Sequence, residues 1–309
     1  MSHHDLDAPA FEIDARTSYF PTALSETHPP VVRLFGLGSE TLVFEQHQRP
    51  GVAIVGSRRA SQQGVLDAHW FAREISSAGL TIISGLATGI DAAAHAGGLE
   101  GVGKTIAVLG HGRDSVYPRS HTGLAQEICS LGGALITEYP DGVPARPHHF
   151  PQRNRIIAAL ARAVLVVEAA PKSGSLITAR HALELGIDVF VIPGSIHDPQ
   201  TEGSNQLIRQ GAQLVQSPTQ LLEDLGLTGG LWSASSRSLR SPPDSTTVPQ
   251  LPVADRVLAV LTHHPTDVLA LSDQSKLDLG DVHTGLLLLE LHGLAARVPD
   301  GRWHKICLV

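Results

Sequence analysis

Three short segments of this chain place glycine and hydroxyl side chains, in two of them with cationic ones, directly after an apolar run and directly before a helical pattern. They are Gly56-Ser57-Arg58-Arg59-Ala60-Ser61, Ser84-Gly85-Leu86-Ala87-Thr88-Gly89-Ile90-Asp91 and Glu168-Ala169-Ala170-Pro171-Lys172-Ser173-Gly174-Ser175. Such turns suit the capture of an anion. Glycine lets backbone N–H groups approach it, helix N-terminal amides and serine hydroxyls donate hydrogen bonds, and Arg58 or Lys172 supplies countercharge. In the second segment Gly85 and Gly89 bracket the turn, while Asp91 and His95 lie one helical turn apart, a spacing that predicts a hydrogen-bonded pair on one helix face. Farther on, Arg153, Asn154 and Arg155 open a predicted helix, where arginine opposes the helix dipole unless it meets a partner anion or a carboxylate.

Other motifs fail on context. Gly98 to Thr105 satisfies the G-x-x-x-x-G-K-[ST] pattern, but a helix precedes it and a strand follows, the reverse of what a phosphate-binding loop needs. A nucleophilic serine requires a G-x-S-x-G turn or a nearby base, and Lys172 to Ser175 offers neither. His148-His149 and His263-His264 have no acidic or cysteine partner at ligand spacing, and the two cysteines, Cys129 and Cys307, form no paired motif. No metal or cofactor is expected. Ser61 is expected to cap its helix, and Ser173 or Ser175 the helix that begins near Leu176.

The elements that must hold these turns follow from apolar periodicity. Strands are expected at 52–55, 80–84, 105–109, 134–137, 163–167 and 188–192, and helices at about 63–78, 89–99, 121–131, 152–161 and 175–185. This alternation predicts an α/β fold with a doubly wound, mostly parallel sheet, and the near-continuous apolar strands predict a sheet covered on both faces. In such a sheet all three turns lie at the carboxyl edge and can converge on one crevice. Residues 1–50 read as a lead-in with little core of its own, 51–226 as the Rossmann-like core and 227–252 as a Gly/Ser/Pro/Thr-rich flexible linker. Residues 253–309 carry three helical patterns and two short strands around Pro299-Asp300-Gly301, the outline of a small winged-helix domain.

Among 309 residues, 42% are hydrophobic and 17% charged, enough apolar material for a packed core and too little charge for a disordered chain. No apolar run reaches the ~18 residues of a membrane span, and the N-terminus lacks the basic and apolar regions of an export signal, so a cytoplasmic protein is expected. The net charge of −7 means that phosphate binding would depend on a local patch. With 13 aromatic residues in all, stacking platforms are few, although Tyr117, Tyr139 and Phe150 fall in loops at or near the expected binding edge.

The segments VAIVGSRRAS, SGLATGIDAAAH, FPQRNRIIAAL, KSGSLITARHALELGIDVFVIPG and EGSNQLIRQGA together resemble the Rossmann-like core of the DNA-processing protein A (DprA/Smf) family, in continuous order over about residues 29–225. The resemblance implies a non-enzymatic protein that binds single-stranded DNA without sequence preference, loads the RecA recombinase in natural transformation and acts as a homodimer. It puts the phosphate-gripping arginine at Arg58, the essential lysine at Lys172 and the backbone cradle at Gly56, Ser57, Ser173, Gly174 and Ser175. Asn154 lies in the segment lining the same crevice, and a dimer contact falls around Gly203 to Ala212. Two departures stand out. About 50 residues cannot hold the family's N-terminal SAM-like helical domain. The C-terminal region, with five basic and seven acidic residues over 251–309, is acidic where a DNA-reading winged helix is usually basic, which suggests a protein-contact or regulatory module. The alternative is an enzyme acting on a nucleotide or sugar phosphate, since related cores include phosphoribohydrolases; their Gly-Gly-x-Gly-Thr loop and following glutamate have no counterpart in KSGSLITA.

Overall fold

The computed structural model describes residues 6–17, 19–46, 48, 50–227, 256–258, 260–261, 266–291, 295–297 and 302–305. The chain divides into two units, Met1–Ser233 and Ala234–Val309. The linker expected over 227–252 lies outside the described residues from 228 onward, as do His263, His264 and the Pro299-Asp300-Gly301 turn.

The first unit is built on a nine-stranded sheet. Its strands are β1 (Ala10–Asp14), β2 (Arg33–Gly38), β3 (Gly51–Val55), β4 (Ile82–Ser84), β5 (Thr105–Val108), β6 (Ala134–Thr137), β7 (Ala161–Val166), β8 (Asp188–Val191) and β9 (Gln213–Leu214). They run in the order β1-β2-β6-β5-β4-β3-β7-β8-β9. The pairs β1/β2 and β2/β6 are antiparallel, and the remaining pairs are parallel. The helices are α1 (Thr22–Ser25), α2 (Glu40–Glu45), α3 (Gln62–Ser77), α4 (Ile90–Glu100), α5 (Thr122–Ser130), α6 (His149–Ala159), α7 (Ser175–Glu184), α8 (Glu202–Arg209) and α9 (Pro218–Asp224). Side-chain alternation along β3 shows why its whole run is apolar. Ala53 and Val55 enter one core layer, with β6 and α6, while Val52 and Ile54 enter the other, with α3 and α4. The six strands and five helices expected from periodicity are all present with small boundary changes, the largest being a start for α6 at His149 instead of residue 152.

The N-terminal segment differs from its expected role. Instead of leading in from outside, it adds two strands to one edge of the sheet, and Phe11, Ile13, Leu24, Val31, Leu34 and Val43 join the same core layer as β3. Its apolar runs are short and broken by prolines, so none looks self-sufficient; they are completed by pairing with β6. Arg113, nearly buried, ties this edge down by donating to the carbonyls of Phe11 (2.7 Å) and Gly36 (3.0 Å) and pairing with Asp141 (3.2 Å).

In the second unit, helices α10 (Val268–Ser275) and α11 (Leu279–Leu291) and the antiparallel strands β10 (Ala295–Arg297) and β11 (Trp303–Lys305) follow a helical stretch at 256–258 and 260. Val257, Leu261, Leu271, Val282, Leu286, Leu289, Ala295 and Trp303 form its core. Asp267 caps α10, accepting from the Ala270 N–H at 2.8 Å. Among the described residues no helix is long and apolar enough to cross a membrane, and no group of His, Cys, Asp or Glu is arranged to hold a metal ion.

Candidate nucleic-acid interface

From β3 the parallel strands proceed in one direction to β4, β5 and β6 and in the other to β7 and β8, so the chain changes direction between β3 and β7. The carboxyl end of that switch point is where an open α/β sheet leaves a crevice. A cavity of about 530 Å³ opens there, lined by Gly56, Ser57, Arg58 and Arg59 after β3, by Lys172, Ser173, Gly174 and Ser175 after β7, and by Phe150, Arg153 and Asn154 of α6.

The loop after β3 is held from behind. Glu168, 3% exposed, accepts from the Ser61 N–H (3.1 Å) and the Ser61 hydroxyl (2.6 Å), while its carbonyl takes the Ser57 N–H (2.7 Å). Ser61 caps α3 as expected, accepting from the Gly64 N–H at 2.9 Å. Gly56 has no room for a side chain, because a Cβ would stand 2.5 Å from Ile90 and 2.9 Å from the Glu168 carbonyl. Arg58 is thereby projected outward. Its guanidinium is exposed, lies 5.2 Å from the centre of the Phe150 ring and makes no ion pair with any described residue.

Across the cavity, Lys172 is also exposed and without a hydrogen-bond or ion-pair partner among the described residues. The N-cap of α7 is Gly174, with no side-chain cap, in place of the expected serine; Ser173 and Ser175 share a hydroxyl–hydroxyl bond of 2.7 Å. Asn154 braces this loop, donating to the Gly174 carbonyl at 3.0 Å. Backbone N–H groups of Gly56, Arg58 and Gly174 donate to no described residue. Two exposed cations, three residues whose amides have no acceptor among the described residues, and a serine pair therefore line one space.

The loop after β4 is a different case, because the Gly85 amide, expected with Gly89 to offer backbone to an external anion, is engaged within the protein. The Gly85 and Ala87 N–H groups donate to Asp91 Oδ2 (3.2 and 3.4 Å), and the Leu86 N–H donates to His95 Nε2 (3.2 Å). The expected Asp91–His95 bond is absent because each side chain is turned to this loop. Thr105 donates to the Ile82 carbonyl and so accepts from His95 Nδ1 (2.7 Å), which fixes the imidazole as the Nδ1–H tautomer. Burial pushes the His95 pKa down to about 3 and raises that of Asp91, the Arg153 guanidinium and the two N–H bonds opposing the latter shift. Gly85 is buried against the Arg153 guanidinium, and Gly89, at φ +80°, packs on the Ser57 carbonyl, so both serve the fold and neither lines the cavity.

Arg153 and Arg155 do not stand at the helix start. Because α6 begins earlier, they occupy its second turn and find acceptors within the protein: Arg155 pairs with Glu138 through two 2.6 Å contacts, and Arg153 donates to the carbonyls of Gly85 (2.7 Å) and Val108. Arg153, at 3% exposed, still reaches the cavity, and its Nε has no partner. The Gly98–Thr105 segment runs out of α4 into β5, and the Lys104 ammonium bonds the Leu99 carbonyl, as the rejection of a phosphate loop there requires.

Sequence reading missed Gln200, which reaches in from the loop before α8 and accepts from the Ser57 hydroxyl at 3.2 Å; nothing in its neighbourhood marks it. It also undervalued the aromatics. Tyr117 lies 5.4 Å from Phe150 at the cavity rim, and Tyr139 stacks on His149 at 4.2 Å. A chain-wide count hides such local gathering.

Fold and site together define a Rossmann-like protein with a cationic cleft at its switch point and an appended winged helix. Residues 13–226 match the family model of DNA recombination-mediator protein A, and 241–301 match the DprA winged helix domain. The chain belongs to the DNA recombination-mediator protein A family, also called DprA or Smf. It is 43% identical to Protein Smf of Escherichia coli K12 over 301 residues, covering 96% of this chain and 78% of that protein. Against DNA processing protein DprA of Streptococcus pneumoniae the identity is 44% over 205 residues, 66% of this chain and 71% of the relative. The X-ray structure of DprA from that species superposes with a TM-score of 0.63 at 42% identity, over 70% of this chain and 74% of that one. A Helicobacter pylori DNA processing protein A structure, described for its single-stranded DNA binding mode, also gives a TM-score of 0.63, at 28% identity over 73% of this chain and 98% of that one.

Proposed function

We propose that this chain binds single-stranded DNA without sequence preference in the cleft between the β3 and β7 loops. The observation that carries the reading is the pair of exposed, unpartnered cations, Arg58 and Lys172, on either side of open backbone amides and beside the Phe150 and Tyr117 rings. Phosphates provide the sequence-independent part of affinity, and aromatic faces accept any base, so cations alternating with rings suit a flexible single strand better than a duplex. Gly56, Ser57, Ser173, Gly174 and Ser175 line the phosphate path, with Arg153 and Asn154 behind it. Single-stranded DNA binding by the Helicobacter pylori relative supports the same conclusion.

The reading extends to loading of the RecA recombinase in natural transformation, with no catalysis by this chain, in the cytoplasm and as a homodimer joined near Gly203 to Ala212. Two linked clefts raise effective concentration on one strand and offset the small number of cations in each. The acidic winged helix serves as a protein-contact or regulatory module.

Fluorescence anisotropy with labelled oligothymidine tests the cleft. Arg58→Glu removes one phosphate contact and adds repulsion, with an expected loss of about a hundredfold in affinity at low salt. Binding indifferent to that reversal sinks the proposal.

A further inference from the structure

One residue pins the Arg58 turn at both ends. The Glu168 carbonyl accepts the Ser57 N–H at 2.7 Å, while its carboxylate accepts the Ser61 N–H at 3.1 Å and the Ser61 hydroxyl at 2.6 Å. Arg58, Arg59 and Ala60 lie between the two anchors. The carboxylate is itself fenced in: Glu168 is buried, and a Cβ on Gly64 would stand 2.5 Å from its Oε2. The Arg58 carbonyl is held as well, but by an exposed bond from the Thr88 hydroxyl at 3.1 Å. The loop that carries Lys172 is closed by other means. Ser173 N–H donates to the Ala170 carbonyl (2.9 Å), Ser204 N–H to the Ala169 carbonyl (3.0 Å) and Asn154 to Gly174, and none of these bonds involves the Glu168 side chain.

On charge alone, an acidic side chain behind an anion-binding cleft is a disadvantage, because its removal would strengthen the field that attracts phosphate. On geometry it is an advantage. An arginine on a loose turn loses conformational freedom when it meets a phosphate, whereas one on a turn held beforehand loses less. We infer that Glu168 is a positioning residue for phosphate capture, its carboxylate holding the Arg58 turn through Ser61 in its binding shape before the strand arrives. The inference rests on the single-stranded DNA reading and deepens it. Charge and position predict opposite signs for the loss of this side chain, and the positional effect belongs to Arg58 and not to Lys172.

The test is a set of double-mutant cycles read by anisotropy of labelled oligothymidine, with thermal melting to check that each variant is folded. Glu168→Ala is expected to weaken binding about fivefold, where charge alone would tighten it. In that background Arg58→Ala is expected to cost about twofold, against about tenfold in the wild type, while Lys172→Ala costs about tenfold in both. Glu168→Gln, whose amide oxygen can accept both Ser61 bonds, is expected to restore the full cost of Arg58→Ala. If Glu168→Ala does not fold, Ser61→Ala removes the hydroxyl partner instead and carries the same cycles. Tighter or unchanged binding in Glu168→Ala overturns the inference. So does an undiminished cost of Arg58→Ala in that background, a cost of Lys172→Ala that shrinks in parallel, or a Glu168→Gln protein that behaves like Glu168→Ala. If the wild type fails to bind oligothymidine, or is indifferent to Arg58→Ala, the proposed function falls first and this inference with it; a cost of Arg58→Ala that is the same with and without the Glu168 side chain overturns this inference alone.

Discussion

The loop after β4 and the loops after β3 and β7 share residue types and a place at the carboxyl edge of the sheet, yet the first is closed and the other two are open. Three successive amides, those of Gly85, Leu86 and Ala87, donate to Asp91 and His95 of the following helix. In the open loops the corresponding carboxylate, Glu168, sits behind the turn and leaves the front to Arg58 and Lys172. A glycine-rich turn is therefore a binding element only when its own helix does not supply the anion. The first turn of that helix decides the matter: Asp91 stands in α4 two residues after Gly89, whereas α7 begins Ser-Leu-Ile-Thr with no acidic residue.

The contrast can be broken first at the closed loop. Gly89→Ala forces a side chain onto φ +80° and puts its Cβ 2.3 Å from the Ser57 carbonyl, so a loss of about 3 kcal/mol or more is expected in urea unfolding. Next comes acid. His95 is neutral in the fold with a pKa of about 3 against 6.5 for an unperturbed imidazole, so its contribution is whole above pH 6.5 and fades as pH falls towards 3. Between pH 6.5 and 5 the wild-type core is expected to lose about 2 kcal/mol more than His95→Gln, read as the difference between their unfolding curves.

Smaller effects sharpen the open side. Lys172→Ala is expected to weaken oligothymidine binding about tenfold and to make the log–log salt slope shallower by ~0.7, with no change in melting temperature, because the side chain has no partner to lose. Gly174→Ala is the mildest. Its φ is −63° and a Cβ would meet nothing within 4 Å, so stability should stay within about 0.5 kcal/mol by the same unfolding assay.

Much of the architecture was legible because each strand of the parallel core is apolar on both faces and each helix follows at regular spacing. Arg58, Lys172 and the Ser173–Ser175 turn were legible for the same reason: their place at a strand end is local information. What escaped was non-local. No spacing rule reveals that Asp91 bonds backward to the loop instead of forward to His95, or that Gln200, 143 residues beyond Ser57, accepts its hydroxyl. The role of Arg153 depended on where α6 begins, and a shift of three residues turned a dipole-opposing cation into a buried donor. Residues 10–14 were passed over because an edge strand alternates exposed and buried positions over too few residues to stand out.

That edge has a practical side. Arg155, next to Arg153 and Asn154 in α6, also donates to the Pro29 carbonyl at 2.9 Å, so the segment that leads into β2 acts as a splint on α6. Trimming the protein to start at residue 50 would remove this splint and strip β6, whose four residues are all buried, of its neighbour. The shortened chain would present a naked apolar ribbon to its own copies, and its failure in an assay would report self-association through that ribbon instead of a missing contact to any ligand.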